Sequence, residues 1–280
     1  MNIRLIAFDL DGTLLNSEKS ISAQTRAALE RAADSGAFLV PATGRLHMGI
    51  PGEVLSLPSV RYVIAVNGAE VCDMETNQIL YRAELDRQEA LDLMDYMDAL
   101  PAIYGWYQNG QGFIPSRFYD KMEAYAHAPW LLESMKSCYL PTDTPKETLF
   151  EQEGGPQKLQ LYFRDPEARL KALADMEKRF PQYAISSSLP INIEINAPDA
   201  TKGQALSFLT SYLKLKQEDT IAFGDGTNDI SMIRQAGLGV AMGNSAPEVL
   251  DAADEITDTN DQDGIAKVLM TFGYETGISV

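Results

Sequence analysis

Asp9 and Asp11 stand two residues apart at the end of a short apolar run, Leu5-Ile6-Ala7-Phe8, and Gly12 and Thr13 follow. At that spacing, side chains in extended backbone leave the chain on the same side. Two carboxylates side by side at the end of a buried segment repel each other and are partly desolvated. A divalent cation, a shared proton or different tasks for the two acids would relieve that cost. Three more polar clusters end apolar runs: Thr43-Gly44-Arg45 after Ala37-Phe38-Leu39-Val40, Asn67-Gly68-Ala69 after Tyr62-Val63-Ile64-Ala65-Val66, and Gly224-Asp225-Gly226-Thr227-Asn228-Asp229 after Thr220-Ile221-Ala222-Phe223. Lys202 lies near the start of a predicted helix. Acids, a hydroxyl, amides and one lysine suit a phosphate group held with a magnesium ion. Mg²⁺ prefers oxygen ligands, usually one or two carboxylates with substrate oxygens. It would also shield a phosphate dianion from an attacking carboxylate.

These groups must be positioned by a scaffold, and the runs before them indicate which. They show no apolar–polar alternation, as expected of strands buried on both faces in a parallel sheet. Between the first two, Thr25 to Ala33 has high helix propensity, with Ser22 as N-cap and Gly36 at the stop. Strand, helix, strand, with polar residues and a glycine at each strand end, predicts an α/β fold with a doubly wound parallel sheet. In such sheets ligands sit beyond the carboxyl ends of the strands.

From about Glu84 the pattern changes. A helix is predicted from Asp86 to Leu100, a hairpin turning at Asn109-Gly110, a strand over Leu159 to Phe163 and a helix from Pro166 to Arg179. Ile191 to Ile195 alternates strictly, which predicts a strand with one face in water. The charged, Pro- and Gly-containing stretch from Pro141 to Gly155 reads as loop. The predicted organisation is a core of residues 1–83 and 195–280, with an inserted α+β unit of residues 84–194.

Composition narrows the function classes. A net charge of −17 argues against nucleic acid and anionic membrane as partners, since both are polyanions. An anionic ligand needs a local positive site working against that field. The two cysteines, Cys72 and Cys138, lack metal-ligand spacing and make no disulfide framework, so a reducing cytoplasm is the expected compartment. The apolar run cut short by Asp9 is not expected to be a signal peptide. No stretch approaches the ~20 apolar residues of a membrane helix.

The four clusters Asp9-Leu10-Asp11-Gly12-Thr13, Thr43-Gly44-Arg45, Lys202-Gly203 and Gly224-Asp225-Gly226-Thr227-Asn228-Asp229 resemble, in order, the motifs of the haloacid dehalogenase-like hydrolase superfamily. More narrowly, the chain looks like the Cof-type phosphatases, which carry a large α/β cap between the second and third motifs. Asn67-Gly68-Ala69, Ala241-Met242-Gly243-Asn244 and Asp263-Gly264 resemble that subfamily's secondary signatures. The resemblance implies Mg²⁺-dependent hydrolysis of small phosphate monoesters, of a sugar or a cofactor, through an aspartyl-phosphate. Asp9 would be the nucleophile and Asp11 the general acid and base. Asp9, the carbonyl of Asp11 and Asp225 would hold Mg²⁺, with Asp229 close by. Leu10, Thr43, Gly44, Lys202 and Asn228 would receive the phosphoryl oxygens. The inserted unit would be the cap that selects the substrate, a small phosphorylated metabolite.

Other residues carry two readings. Arg45 binds phosphate or, the commoner device, pairs with a nearby acid. Asn67 ends a buried strand at the ligand edge and reads as functional. His47 and His127 are too few for a histidine metal site and read as structural or surface residues. The aromatics Tyr104, Trp106, Tyr107, Phe113 and Trp130 read mainly as core. Two other functions fit the same core: a phosphomutase or phosphotransferase, and a phospholigand-binding protein without turnover. The identity of the metabolite and the oligomeric state are not legible at this level.

Overall fold

A computed structural model describes residues 3–126 and 128–274. The expectation for His127 lies outside the described residues, as does that for the Trp130 side chain. The chain divides into two compact units, one running up to Tyr81 and resuming at Thr201, the other Arg82–Ala200.

The first unit begins with β1 (Leu5–Phe8), α1 (Ala23–Asp34), β2 (Phe38–Pro41), α2 (Gly52–Leu55), β3 (Tyr62–Ala65), β4 (Glu70–Asp73) and β5 (Gln78–Arg82). The second unit holds α3 (Arg87–Met97), β6 (Ala102–Gln108), β7 (Gln111–Pro115), α4 (Ser116–Tyr119), α5 (Pro129–Cys138), β8 (Tyr139–Thr142), α6 (Pro145–Glu151), β9 (Lys158–Phe163), α7 (Pro166–Arg179), β10 (Ala184–Ser186) and β11 (Asn192–Asn196). The first unit then resumes with α8 (Lys202–Tyr212), β12 (Thr220–Gly224), α9 (Ile230–Gln235), β13 (Leu238–Ala241), α10 (Pro247–Leu250), β14 (Glu255–Ile256) and α11 (Gly264–Thr271).

The central sheet of the first unit has the order β14-β13-β12-β1-β2, and every pairing is parallel. Alternate residues of β1 enter two different cores. Ile6 and Phe8 pack with Leu29 of α1 and Leu269 of α11, while Leu5 and Ala7 pack with Leu206 of α8 and Met232 of α9. Helices therefore cover both faces, which is why the strand is continuously apolar. The fold is the expected α/β, doubly wound type. The Ser22 hydroxyl accepts from the Thr25 amide and starts α1; the Thr201 hydroxyl accepts from the Gln204 amide and starts α8. β3 departs from the simple picture. It heads a separate three-stranded sheet, β3-β4-β5, pairing antiparallel with β4, and meets β2 through an isolated parallel bridge between Ala42 and Ile64.

The second unit is built on a six-stranded sheet of order β10-β11-β9-β6-β7-β8, antiparallel except for β7 with β8. Asn109 and Gly110 both have positive φ and make the tight turn between β6 and β7. Tyr104, Trp106, Tyr107 and Phe113 are buried, as expected of core aromatics.

Two expectations fail in this unit. The polar positions of β11 do not face water: Asn192, Glu194 and Asn196 are all buried. Their partners come from elsewhere in the unit, with Lys158 Nζ 2.9 Å from Glu194 Oε1 and the Asn196 amide donating to the Gln157 carbonyl. Residues 141–155 are also not all loop, because Pro145 opens α6 at a position where its missing N–H is harmless.

Candidate active site

β1 and β12 are neighbours although the chain leaves β1 toward β2 and returns on the other side. This is the topological switch point of the sheet, where side chains beyond the strand ends form a crevice. Asp9 follows β1 and Asp225 follows β12 at this point. The Gly12 turn, at φ +92°, lets the Asp225 carboxylate approach closely; a Cβ on Gly12 would fall on it. The Thr13 hydroxyl donates to Asp225 Oδ1 at 2.6 Å, fixing the loop after β1 to the loop after β12.

Lys202, the first residue of α8, is completely buried and donates to both Asp9 Oδ1 and Asp229 Oδ1 at 2.6 Å. Asp229 is held in turn, since its Oδ2 accepts from the amides of Asp225 and Gly226 at 3.0 and 2.9 Å. Asp9, Asp225 and Asp229 present carboxylate oxygens within 4.8 Å of one another. Burial is the main force raising the Asp9 pKa well above the carboxylate range; Lys202 works against it, and Asp229 and Asp225 add to it. Asp225 is pushed up to about 6 by burial and by Asp229. Burial opposes the Lys202 charge, but Asp229 and Asp9 outweigh it and hold the ammonium above its ordinary pKa. With all three acids ionised, three carboxylates facing one ammonium leave a surplus of negative charge that one divalent cation would cancel. Burial and that uncancelled surplus together raise the pKa values of Asp9 and Asp225. The donors are all hard oxygens, which fits Mg²⁺.

Asp11 looks elsewhere. Its carboxylate receives Arg45 Nε at 3.0 Å and Nη2 at 2.9 and 2.7 Å, and Lys19 Nζ at 2.9 Å. Burial pulls its pKa upward, yet Arg45 and Lys19 together hold it below the ordinary value. Arg45 is thus the ion-pair partner of a nearby acid, and that acid is Asp11.

Thr43 is buried just past β2; its hydroxyl accepts from the Arg45 amide at 3.2 Å and its carbonyl from the Asn67 amide at 3.0 Å. Val66, Asn67 and Gly68 all have positive φ, a conformation that a β-branched valine adopts only under constraint. This turn lays Gly68 against the Thr201 backbone at the start of α8, where a Cβ would collide. It also brings Asn67 Oδ1 to 3.1 Å from the donating Asn228 amide. Gly44 is half-buried in the turn after β2, and Leu10 is wholly buried in the core behind Asp9.

The structure therefore brings Asp9, Lys202, Asp225 and Asp229 into one cluster, joins Asn228 to Asn67, and turns the Asp11 side chain toward Arg45. Sequence reasoning missed Thr13 as the donor to Asp225 and Lys19 as a partner of Asp11. Thr13 had a signal, its place directly after the Asp-x-Asp-Gly turn; Lys19 had none.

Residues 6–269 match the family profile described as haloacid dehalogenase-like hydrolase. The chain belongs to that family. Among curated relatives, it is 32% identical over 269 residues to the 5-amino-6-(5-phospho-D-ribitylamino)uracil phosphatase YcsE of Bacillus subtilis, covering 96% of this chain and 95% of the relative. It is 28% identical to phosphatase YwpJ of the same organism, covering 95% and 99%. Among solved structures, a haloacid dehalogenase-like hydrolase from B. subtilis superimposes with a TM-score of 0.82 at 29% identity, over 96% of this chain and 99% of that one. For a member of this hydrolase family, an acid cluster at the end of the first strand lies where the sheet topology favours a ligand. Among the described residues, no helix is long and apolar enough to cross a membrane.

Proposed function

We propose that this haloacid dehalogenase-like hydrolase is a magnesium-dependent phosphatase that cleaves small phosphate monoesters through an aspartyl-phosphate on Asp9. The observation that carries the reading is the buried cluster of Asp9, Asp225, Asp229 and Lys202 at the switch point, in a chain whose curated relatives are phosphatases.

Asp9 attacks phosphorus, the alcohol leaves, and water later cleaves the acyl phosphate, so one hard displacement becomes two easier ones. Asp9, Asp225 and the Asp11 carbonyl would hold a magnesium ion, which would supply charge neutralisation for the phosphate and the attacking carboxylate. Lys202 favours the ionised form of Asp9 against its burial and fixes its carboxylate, and its ammonium favours the extra negative charge of the transition state. Leu10, Thr43, Gly44 and Asn228 complete the phosphate cradle. Asp11 protonates the departing oxygen and later deprotonates the water. For that role Asp11 must first take a proton, which its hold by Arg45 and Lys19 opposes, so partial release of that hold belongs to the cycle.

The substrate is a phosphorylated sugar or cofactor precursor. The named substrate of the YcsE relative, a ribityl phosphate on a uracil, joins both classes in one molecule. The Arg82–Ala200 unit acts as the element that selects among them. The test is release of inorganic phosphate from a panel of phosphorylated metabolites, that uracil included, with and without Mg²⁺. Phosphate release that needs the metal supports the reading. Transfer to a sugar hydroxyl without free phosphate would replace hydrolysis by phosphotransfer, and no reaction with any ester would leave only ligand binding.

A further inference from the structure

Behind the turn that carries Arg45, a second group of potential metal ligands comes together in the first unit. His47 opens a 3-10 turn at His47–Gly49, two residues past Arg45. Glu70 and Cys72 lie two apart on β4, so their side chains share a face of the strand. One ligand atom from each of the three residues lies within 4.8 Å of the others. His47 Nδ1 is 3.4 Å from Glu70 Oε2, is itself buried, and makes no hydrogen bond among the described residues. Two ligand atoms sharing a tetrahedral zinc, with bonds of about 2.0–2.3 Å, stand roughly 3.3–3.6 Å apart. The nitrogen–oxygen spacing already meets that value, and the third donor, within 4.8 Å of the other two, needs to close by at most about 1.5 Å.

We propose that His47, Glu70 and Cys72 form a second metal site, selective for a borderline divalent ion of the zinc class rather than for magnesium. The donor set decides the class: imidazole and thiolate suit zinc, whereas Mg²⁺ takes oxygen. Glu70 is fully buried and Cys72 nearly so, while the His47 side chain is 23% exposed. The ion enters past His47 and loses most of its water inside. Binding releases the thiol proton and ties the turn after β2 to β4. That turn holds Arg45, whose carbonyl accepts from the Val66 amide at 2.9 Å. The site thus braces the partner of Asp11 without sharing a ligand with the Asp9 cluster.

Cobalt(II) is the probe, because it takes zinc's geometry and gives a near-ultraviolet charge-transfer band only when a thiolate is bound. The full-length, metal-stripped protein is titrated with Co²⁺ in excess Mg²⁺. The expected result is one equivalent bound with the thiolate band, displaced by Zn²⁺ and not by Mg²⁺. Cys72→Ser should abolish the band, and Cys138→Ser should leave it unchanged. Because Cys72 is in the core, folding of its variant is checked by circular dichroism. His47→Ala, at a partly exposed turn, serves as a second variant expected to weaken Co²⁺ binding by about tenfold or more. Absence of the band, its survival in Cys72→Ser, or unchanged affinity in His47→Ala would overturn the site. These outcomes are read from spectra, so they are independent of whether the Asp9 cluster turns over phosphate esters.

Discussion

The Arg45 guanidinium grips the Asp11 carboxylate at both oxygens, with Nε 3.0 Å from Oδ2 and Nη2 2.9 Å from Oδ1. A proton donor held in this way is kept ionised. The pair is about one-third exposed, so its net worth to folding is small, in the range of about 0–1 kcal/mol. Its effect on the acid is the larger matter.

Replacing Arg45 by Gln should let the Asp11 pKa rise toward the ordinary carboxylate value. The folded pKa lies below the unfolded one, so the stability contributed by the pair is present above about pH 4 and fades as pH falls through the folded value. In the variant that acid-side loss should shrink, and the carboxyl resonance of Asp11 should titrate at higher pH in NMR. An unchanged Asp11 titration would contradict the assigned cause.

The two N-terminal acids should separate by leaving group. Asp9→Asn should abolish the covalent phosphoryl-enzyme on every substrate. Asp11→Asn should cost about 10²–10⁴-fold with sugar phosphates, whose alkoxide needs a proton, and less with an activated aryl phosphate. Single-turnover rates make the comparison, because slow dephosphorylation can hide it in the steady state. Equal losses on both substrates would remove Asp11 from the acid role.

Lys202→Met should destabilise the first unit by about 3–5 kcal/mol, since it leaves Asp9 and Asp229 buried without their counter-charge. The raised lysine pKa means that its contribution is complete below about pH 10 and is lost as pH rises through the folded value. Urea unfolding midpoints near neutral pH measure the loss. A change under about 1 kcal/mol, the scale of an exposed pair, would mean that water reaches the cluster.

Magnesium should stabilise the protein in a pH-dependent way. Asp225 is raised to about 6 in the fold, above its unfolded value near 3.8. Its stabilising contribution without metal is therefore full below the unfolded value and lost as pH climbs through about 6. Added Mg²⁺ should raise the melting temperature more at about pH 7 than at about pH 5, where protons compete for the same oxygens. An equal shift at both would place the ion away from Asp225.

In the second unit, Lys158→Met alone should cost about 3–5 kcal/mol by stranding Glu194, and Lys158→Met with Glu194→Leu should recover much of it. A double-mutant cycle in urea checks this. Additive losses would show that the two residues are not coupled.

The parts of this molecule that were legible in advance are those set by local rules. Ser22 and Thr201 cap helices with their own side chains, Asn109-Gly110 supplies two positive φ angles, and Leu5–Phe8 is apolar because helices cover both its faces. The site was readable because its acids end such strands. What escaped depends on partners remote in the chain. Glu194 alternates with isoleucines like a surface residue, and its burial rests on Lys158, arriving on β9, with the Ser188 hydroxyl donating to the same carboxylate oxygen. The turn of Asp11 toward Lys19 depends on a loop without periodicity. His47 and Cys72 each look isolated until β4 lies behind the 3-10 turn. Pro145 to Glu151 passed for loop because charge and proline obscure a helix of 7 residues.

The strand order of the central sheet has a consequence for biosynthesis. β1 pairs on one side with β2, made soon after it, and on the other with β12; Thr13 and Asp225, which close that second side, are 212 residues apart. All six strands of the Arg82–Ala200 sheet lie between, so that unit can complete itself while the first still waits. Until Thr220–Gly224 leaves the ribosome, Leu5–Phe8 keeps one edge of unpaired amides and carbonyls in an apolar setting, the kind of edge that other chains pair with. Any nascent chain stalled before Thr220 carries that sticky edge for as long as it exists.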